Sequence, residues 1–449
     1  MGRIFVRDRK FYLTALALAL PVVLQNMITI GVNIADTMML GSYGETQIAG
    51  SSLANDFINI FHILCMGMGG GAAVLTAQYW GRGDTASLKR ALTIMIRIAL
   101  LTALLFTAVT ALFPSGIMRL FTKEAPVIEK GSIYFLWSLP TYLLMGLSLT
   151  LTLILRSMRK VLLPLISSII CFFVNIFFNW MFIFGNLGAP EMQIAGAALG
   201  TVIARVVETA IIAGYVFVFD KSIGYRIKDI LRPCGDLVRP YLRYSLPVML
   251  SDSLLAVGNA MVSVIMGHLR MEFVAANAII AMIVRLSTVF TQGLGQASAV
   301  MTGNTLGRGE KEKAYRQGVT FFALSIVIGI LAAGVILALS PFIISRFNIT
   351  QETRAIARQL MFAVSIMVVF QATQSVLTKG VLRGGGDTVF LVFADVAFLW
   401  AASIPLGALC GFVWHTEPFF IYIALKIDWA IKTVICAWRL RSKKWMRTV

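Results

Sequence analysis

The chain has 449 residues, 58% of them hydrophobic and only 13% charged, with a mean hydropathy of +0.83 and a formal net charge of +18. A soluble domain carries about 25% charged residues, so this composition excludes a soluble enzyme or binding module and points to a polytopic membrane protein. The basic excess does not mean nucleic-acid binding, because most of it lies in segments between apolar runs and on one side of them.

Apolar runs of about 20 residues mark spanning helices. Twelve follow in chain order: 11–40, 47–79, 88–114, 131–155, 161–186, 192–219, 240–266, 273–306, 313–340, 357–381, 387–412 and 417–438. The first exceeds a signal-peptide core of about 7–15 residues and no small-residue cleavage site follows it, so it is read as a span. The expected fold class is an all-α integral membrane protein of twelve transmembrane helices in two pseudo-symmetric six-helix lobes. The lobes are 1–219 and 240–449, with 220–239 as the linker and a basic tail at the end.

An ionisable group inside a span costs about 3 kcal/mol and by default faces a cavity or a partner. In the first span Asp36 follows Pro21 by fifteen residues, and Asn33 shares its face. An interior proline removes a backbone hydrogen bond and bends a helix. A carboxylate beyond such a hinge suits reversible protonation or cation binding coupled to bending. Asp56, in the second span, is either a pore-lining acid or a helix cap. In the fifth span Asn175 and Asn179 share a helix face, and Thr201 follows in the Gly196-Ala197-Ala198-Leu199-Gly200-Thr201 run, whose small residues permit close packing. One carboxylate, two amides and a hydroxyl form an oxygen-rich site for a proton or small hard cation. Alternatively, the asparagines and threonine only bond helix to helix. Glu208 is expected to pair with Arg205, and Asp428 with Lys432, as structural ion pairs.

The halves repeat one another. Leu20-Pro21-Val22 returns as Leu246-Pro247-Val248, Gly81-Arg82-Gly83-Asp84 as Gly307-Arg308-Gly309-Glu310, and Phe121 as Phe347, all at an offset of 226. Leu155-Arg156 returns one residue late as Leu382-Arg383. Six spans per half bring the chain back to its starting side, so the lobes are parallel repeats about an axis along the membrane normal. The Gly-Arg-Gly-acid segments are read as tight turns without chemistry. The repeat fails at the acids: Val262 is the mate of Asp36 and Asn26 that of Asp252, which places the ion site in the first lobe.

Basic residues gather on one side, at Arg3, Arg7, Arg9 and Lys10, at Arg156, Arg159 and Lys160, at Lys221, Arg226, Lys228 and Arg232, and in the tail. Few lie opposite, among them Arg119, Lys123, Arg270 and Arg354. This positive-inside bias puts both termini in the cytoplasm of a multi-pass protein of the cell membrane, with some attraction to anionic lipid. The five cysteines show no metal spacing and are expected as core residues; His62, His268 and His415 are isolated. No metal-binding or activated-nucleophile motif marks an enzyme.

Several motifs in order resemble the multidrug and toxic compound extrusion (MATE) transporters across the whole chain. These are the Pro21-to-Asp36 span ending Ala35-Asp36-Thr37-Met38-Met39-Leu40-Gly41, and Gln78-Tyr79-Trp80-Gly81-Arg82-Gly83-Asp84. Val174-Asn175, Gly196-Ala197-Ala198 and Gly380-Val381-Leu382-Arg383-Gly384-Gly385-Gly386-Asp387-Thr388 complete the set. The resemblance implies two six-helix lobes in a V and an antiporter that exports organic, often cationic or amphipathic, small molecules by alternating access. It uses H+ or Na+ and no other cofactor. Asp36 then corresponds to the family's first-span carboxylate, Asn175 to its amide and Thr201 to its hydroxyl. Asn179 stands where many members have an aspartate, which argues against a two-carboxylate sodium site. Another branch carries acids in the seventh and tenth spans, where this chain has Leu255 and Gln371; Asp252 is a partial replacement, and Lys379 and Asp395 are expected to pair or to line a second-lobe cavity. Pro21 and Pro247 are the expected helix hinges. Phe172, Phe173, Phe177, Trp180, Met66 and Met68 are candidates for a promiscuous cavity or for lipid-facing positions. The protein is expected to act as a monomer, in contact with membrane lipids and without nucleic acid. A major-facilitator transporter, a dedicated metabolite exporter and a lipid or lipid-linked sugar flippase are the alternatives; the first is disfavoured by the Gly-Arg-Gly-Asp turn.

Overall fold

A computed structural model describes residues 5–269, 271–346 and 350–448; Arg3, Arg270 and Phe347 lie outside the described residues. Among the described residues there are helices and connecting segments, with no strand. The helices are α1 (Arg9–Gly41), α2 (Glu45–Arg82), α3 (Thr85–Leu112), α4 (Pro114–Phe121), α5 (Ala125–Ser138), α6 (Pro140–Ser157), α7 (Leu162–Phe184) and α8 (Ile194–Gly214). In the second half follow α9 (Gly235–Gly267), α10 (Met271–Gly307), α11 (Lys311–Arg346), α12 (Gln351–Ser375), α13 (Thr388–Phe398), α14 (Ile404–Ala408), α15 (Pro418–Leu425) and α16 (Ile427–Arg441). Short π-helical stretches continue α8 over Tyr215–Phe219 and α12 over Val376–Leu382.

Among the described residues, ten helical stretches are long and apolar enough to cross a membrane, and α5 with α6 makes an eleventh, bent by 56°. Pro140 opens α6 without an N–H to donate, which accounts for the break after Ser138. The twelfth apolar run, 417–438, is shared by α15 and α16, which meet at Lys426. Neither half is long and apolar enough to cross by itself, because Lys426, Asp428 and Lys432 interrupt the run.

Two compact units form: residues 24–76 with 84–245, and residues 1–23 with 77–83 and 246–449. The helices α1 and α9 pass from one unit to the other at 23–24 and 245–246, each within three residues of its proline, Pro21 or Pro247. The first unit buries Phe61, Phe135, Tyr142 and Ile183, and the second buries Ile280, Leu360, Leu399 and Tyr422. In lipid such side chains stabilise through close packing between helices rather than through transfer out of water.

The repeated turns are as tight as their glycines suggest: Gly83 has φ +79 and Gly309 φ +80, in the left-handed region open to glycine. Asp84 caps α3 by accepting the Ser87 N–H at 2.9 Å. Their other glycines serve a different purpose. A Cβ on Gly81 would stand 2.1 Å from the Asn304 carbonyl oxygen, and one on Gly307 would stand 2.1 Å from that of Gln78. Gln78 and Asn304 are themselves repeat mates, so the ends of α2 and α10 cross backbone to backbone in a reciprocal contact, and Asn304 Nδ2 donates to the Ala77 carbonyl at 2.9 Å.

The 220–239 linker is folded onto α3 rather than extended. Lys89 donates to the Gly224 carbonyl at 3.0 Å, and Arg97 donates to the Ile230 and Arg232 carbonyls at 2.6 and 2.7 Å. Asp220 accepts from Lys160 and from the Ser222 and Ile223 N–H groups. The basic tail is likewise ordered: Trp445 is fully buried against Gly385, while Arg439 and Arg447 both grip the buried Asp387 at 2.6 and 2.8 Å.

Candidate functional site

Three helices of the first half bring the four first-lobe candidates together. The helical period puts Asn175 and Asn179 one turn apart on the buried face of α7, at 2% and 0% exposure. Their neighbours Phe173, Phe177 and Trp180 occupy the exposed face, and Phe172, Met66 and Met68 are half-buried. Helix α8 can approach because a Cβ on Gly200 would stand 2.1 Å from Asn179 Oδ1, so only glycine leaves that room. Asp36 reaches the pair from α1.

The resulting polar chain is continuous. Asn179 Nδ2 donates to Asp36 Oδ1 at 2.6 Å and to Asn175 Oδ1 at 3.2 Å, and Asn175 Nδ2 donates to Thr201 Oγ1 at 3.4 Å. Hydrogen bonds to a charged acceptor contribute about 1.5–3 kcal/mol, so the short Asp36 bond is the strongest link. Asn179 Oδ1 is buried without a hydrogen-bond partner. Among the described residues no cluster of three or more His, Cys, Asp or Glu side chains converges. Cation chemistry here rests on one carboxylate with amide and hydroxyl oxygens.

Some members of this neighbourhood left no mark in the sequence. Tyr134 on α5 lies within hydrogen-bonding reach of Thr201 and exchanges bonds with Asn55 at 3.2 and 3.3 Å. One turn beyond Thr201, Arg205 pairs with Glu208 at 2.6 Å, the ion pair expected from their spacing. His62 is not isolated: it is half-buried on α2 and feels the charges of Arg205, Glu208 and Arg156. Asn33 is exposed and its carbonyl accepts from Thr37 at 2.8 Å. Asp56 lies well inside α2 and is exposed, so it is not that helix's cap.

The second-half candidates are dispersed. Asp252 on α9 forms a two-pronged ion pair with Arg383, at 3.1 and 3.5 Å. Leu255 packs into the apolar core, and Gln371 is half-buried with its Oε1 unbonded. Lys379 lies in the π-helical stretch after α12 and is exposed, whereas Asp395 is 2% exposed. The cation beside Asp395 is Lys432, at 3.7 Å, rather than the expected Lys379. The wider turn of the π-helical stretch leaves Lys379 on the exposed face while Lys432 is held inside by its neighbour Asp428 at 2.9 Å.

Residues 21–181 and 247–409 match the family model described as MatE, one stretch in each half. The “Probable multidrug resistance protein NorM” of Mesorhizobium japonicum is 28% identical, over 96% of this chain and 93% of its own length. The “Multidrug resistance protein MdtK” of Yersinia pseudotuberculosis is 25% identical over 90% and 88%. Among solved structures, a mutant of a Vibrio cholerae MATE transporter superposes with a TM-score of 0.88 at 17% identity, covering 97% of this chain and 98% of its own. A MOP superfamily transporter from Pyrococcus furiosus superposes with 0.86 at 16% identity, covering 96% of each chain. The helical architecture agrees with this match. This chain belongs to the multidrug and toxic compound extrusion (MATE) family of membrane transporters.

Proposed function

We propose that this protein is an efflux antiporter that exports organic cationic or amphipathic compounds by alternating access in exchange for an incoming cation, with Asp36 as the coupling carboxylate. The observation that carries the reading is the chain from Asp36 through Asn179 and Asn175 to Thr201. Its relatives' names, multidrug resistance proteins, support the drug-export reading. The proton is the better-supported ion. Asn179 presents its Nδ2 donor to Asp36, so a proton neutralises the carboxylate in place, whereas sodium would need the amide turned to offer its oxygen. Sodium is the second reading, favoured by the buried and unbonded Asn179 Oδ1.

In this scheme the basic segments and both termini face the cytoplasm, and no cofactor beyond the coupling ion is needed. The monomer is the working unit, embedded in lipid. One charge crossing 100 mV releases about 2.3 kcal/mol, enough for roughly a fiftyfold gradient of an uncharged substrate at one-to-one coupling. One-to-one exchange for a monovalent cation instead moves no net charge and is driven by the ion's concentration gradient. The test is ethidium efflux from proteoliposomes with separately imposed pH and sodium gradients. A pH gradient is expected to drive efflux in the wild type and to fail in Asp36→Asn of unchanged thermal stability. Full coupling in that variant would refute the role of Asp36, and efflux driven by sodium alone would select the second reading.

A further inference from the structure

The second half holds a buried cluster that the Asp36 mechanism does not use. Asp395 on α13 and Asp428 and Lys432 on α16 are each only 2% exposed. Lys432 Nζ lies 2.9 Å from Asp428 and 3.7 Å from Asp395. Ser403 donates to Asp428 at 2.8 Å, and Ser251 on α9 donates to Asp395 at 3.1 Å. Two carboxylates thus share one ammonium out of contact with water. Leaving the extra negative charge uncompensated costs several kcal/mol, and the economical remedy is one proton.

Geometry selects its place. Asp428 has Lys432 within hydrogen-bonding distance and a serine hydroxyl besides. Asp395 stands beyond that distance from the ammonium, with the Ser251 hydroxyl as its nearer polar contact. The charged groups around it are otherwise engaged. Asp252 and Arg383 neutralise each other at 3.1 Å beside Ser251. Lys426, where α15 meets α16, donates to Asn259 at 3.4 Å and lies over the Trp429 ring at 5.1 Å. Lys379 is exposed, and the thiol of Cys436, one turn after Lys432, is buried. At the far end of α16, Arg439 and Arg447 are committed to Asp387.

The internal repeat reinforces the assignment. The one-residue-late register that pairs Leu155-Arg156 with Leu382-Arg383 also pairs Thr201 with Asp428 and Arg205 with Lys432. The first-half cluster is built on the first, fifth and sixth spans of its half, and the second-half cluster draws on the corresponding three.

We propose that the Asp395–Lys432–Asp428 cluster is a second proton-binding site, in which Asp395 carries an exchangeable proton through the transport cycle. Lys432 is the fixed cation that keeps Asp428 ionised and governs when Asp395 releases its proton. No bond to carbon forms or breaks; the proton moves between Asp395 Oδ and water when the site opens. This inference rests on the proton-antiport reading, and the test separates the two.

Infrared difference spectra of the purified protein, taken across a pH titration, report protonated buried carboxyls without any substrate. In Asp36→Asn a carboxylic-acid band should remain and titrate. In Asp395→Asn that band should be missing, and in Asp36→Asn/Asp395→Asn no carboxylic-acid band should titrate near neutral pH. Lys432→Met should keep the Asp395 band to higher pH, because the cation that favours its ionised form is gone. With ethidium in proteoliposomes, the protons exchanged per substrate should fall by one in Asp395→Asn. Absence of the band in Asp36→Asn at every pH, or an unchanged proton count in Asp395→Asn, overturns the second site. Should Asp395→Asn misfold, Ser251→Ala keeps all three charges and should still shift the pH at which the band disappears; an unshifted band overturns the proposal. Failure of Asp36→Asn to impair efflux counts against the coupling role of Asp36 alone.

Discussion

Gly307→Ala tests whether the repeated turns are more than loop punctuation. The added Cβ would lie 2.1 Å from the Gln78 carbonyl oxygen and 2.8 and 2.9 Å from its carbon and Cα. Those atoms are backbone and cannot rotate aside. Restoring an ordinary contact of about 3.5 Å requires the α2 and α10 ends to part by more than 1 Å. Overpacking of this kind costs about 1–3 kcal/mol. The parting also stretches the 2.9 Å bond from Asn304 to the Ala77 carbonyl, which is worth about 0.5–1.5 kcal/mol. The expected loss is therefore about 2–4 kcal/mol. Two other variants give the scale. Gly309→Ala meets nothing within 4 Å but sits at φ +80, and should lose about 1–2 kcal/mol from strain alone. Gly334→Ala, inside α11 with open space around it, should be neutral or gain up to about 1 kcal/mol in helix propensity. Thermal unfolding of the three in one detergent, followed by loss of the monodisperse peak in size-exclusion chromatography, ranks them. If Gly307→Ala melts with Gly334→Ala, the reciprocal crossing of α2 and α10 is not what demands glycine there.

Further outcomes follow from the remaining contacts. Asn179→Ala removes the donor to Asp36, and should cost about 1.5–3 kcal/mol of stability while Asp36 is ionised; a transition temperature equal to wild type would contradict the 2.6 Å bond. Trp445→Ala empties a fully buried site and should cost about 3–5 kcal/mol, seen as early proteolytic loss of the tail; a tail as resistant as wild type would count against its docking. Burial pushes the Asp220 carboxyl up, but Lys160 and the Ser222 and Ile223 N–H groups outweigh it and hold the carboxyl below its ordinary value. A lowered value means the linker's anchoring is present at neutral pH and is lost as pH falls below about 3.9 and through the folded value. Protection from hydrogen exchange over 220–232, taken relative to the intrinsic rate at each pH, should therefore fall in strong acid and, at neutral pH, in Lys160→Met; unchanged protection in that variant would refute the anchor.

Much of this was legible locally. Fifteen residues from Pro21 to Asp36, four from Asn175 to Asn179, and three from Arg205 to Glu208 are distances along one helix, and helix geometry converts them directly into shared faces and ion pairs. Composition alone settles the solvent, because in lipid the backbone must bond internally and helices are the way a chain this apolar does so. The repeat was equally plain, though its first glycines were read as turn residues when their need arises from a helix more than 200 residues away.

Partners between helices belong to tertiary structure. Lys432 and Asp428 announce each other one turn apart, but that Lys432 also faces Asp395, and that Lys379 does not, depends on how α13 and α16 are rotated and on the π-helical turn after α12. Tyr134 beside Thr201, Arg383 on Asp252 and Trp445 under Gly385 are of the same kind. Spacing within a helix is set by a fixed 3.6-residue period, so the sequence by itself determined which side chains share a face. Which faces meet is decided by close packing over the whole unit, where a missing Cβ at Gly200 or Gly307 admits a neighbour that no local pattern names.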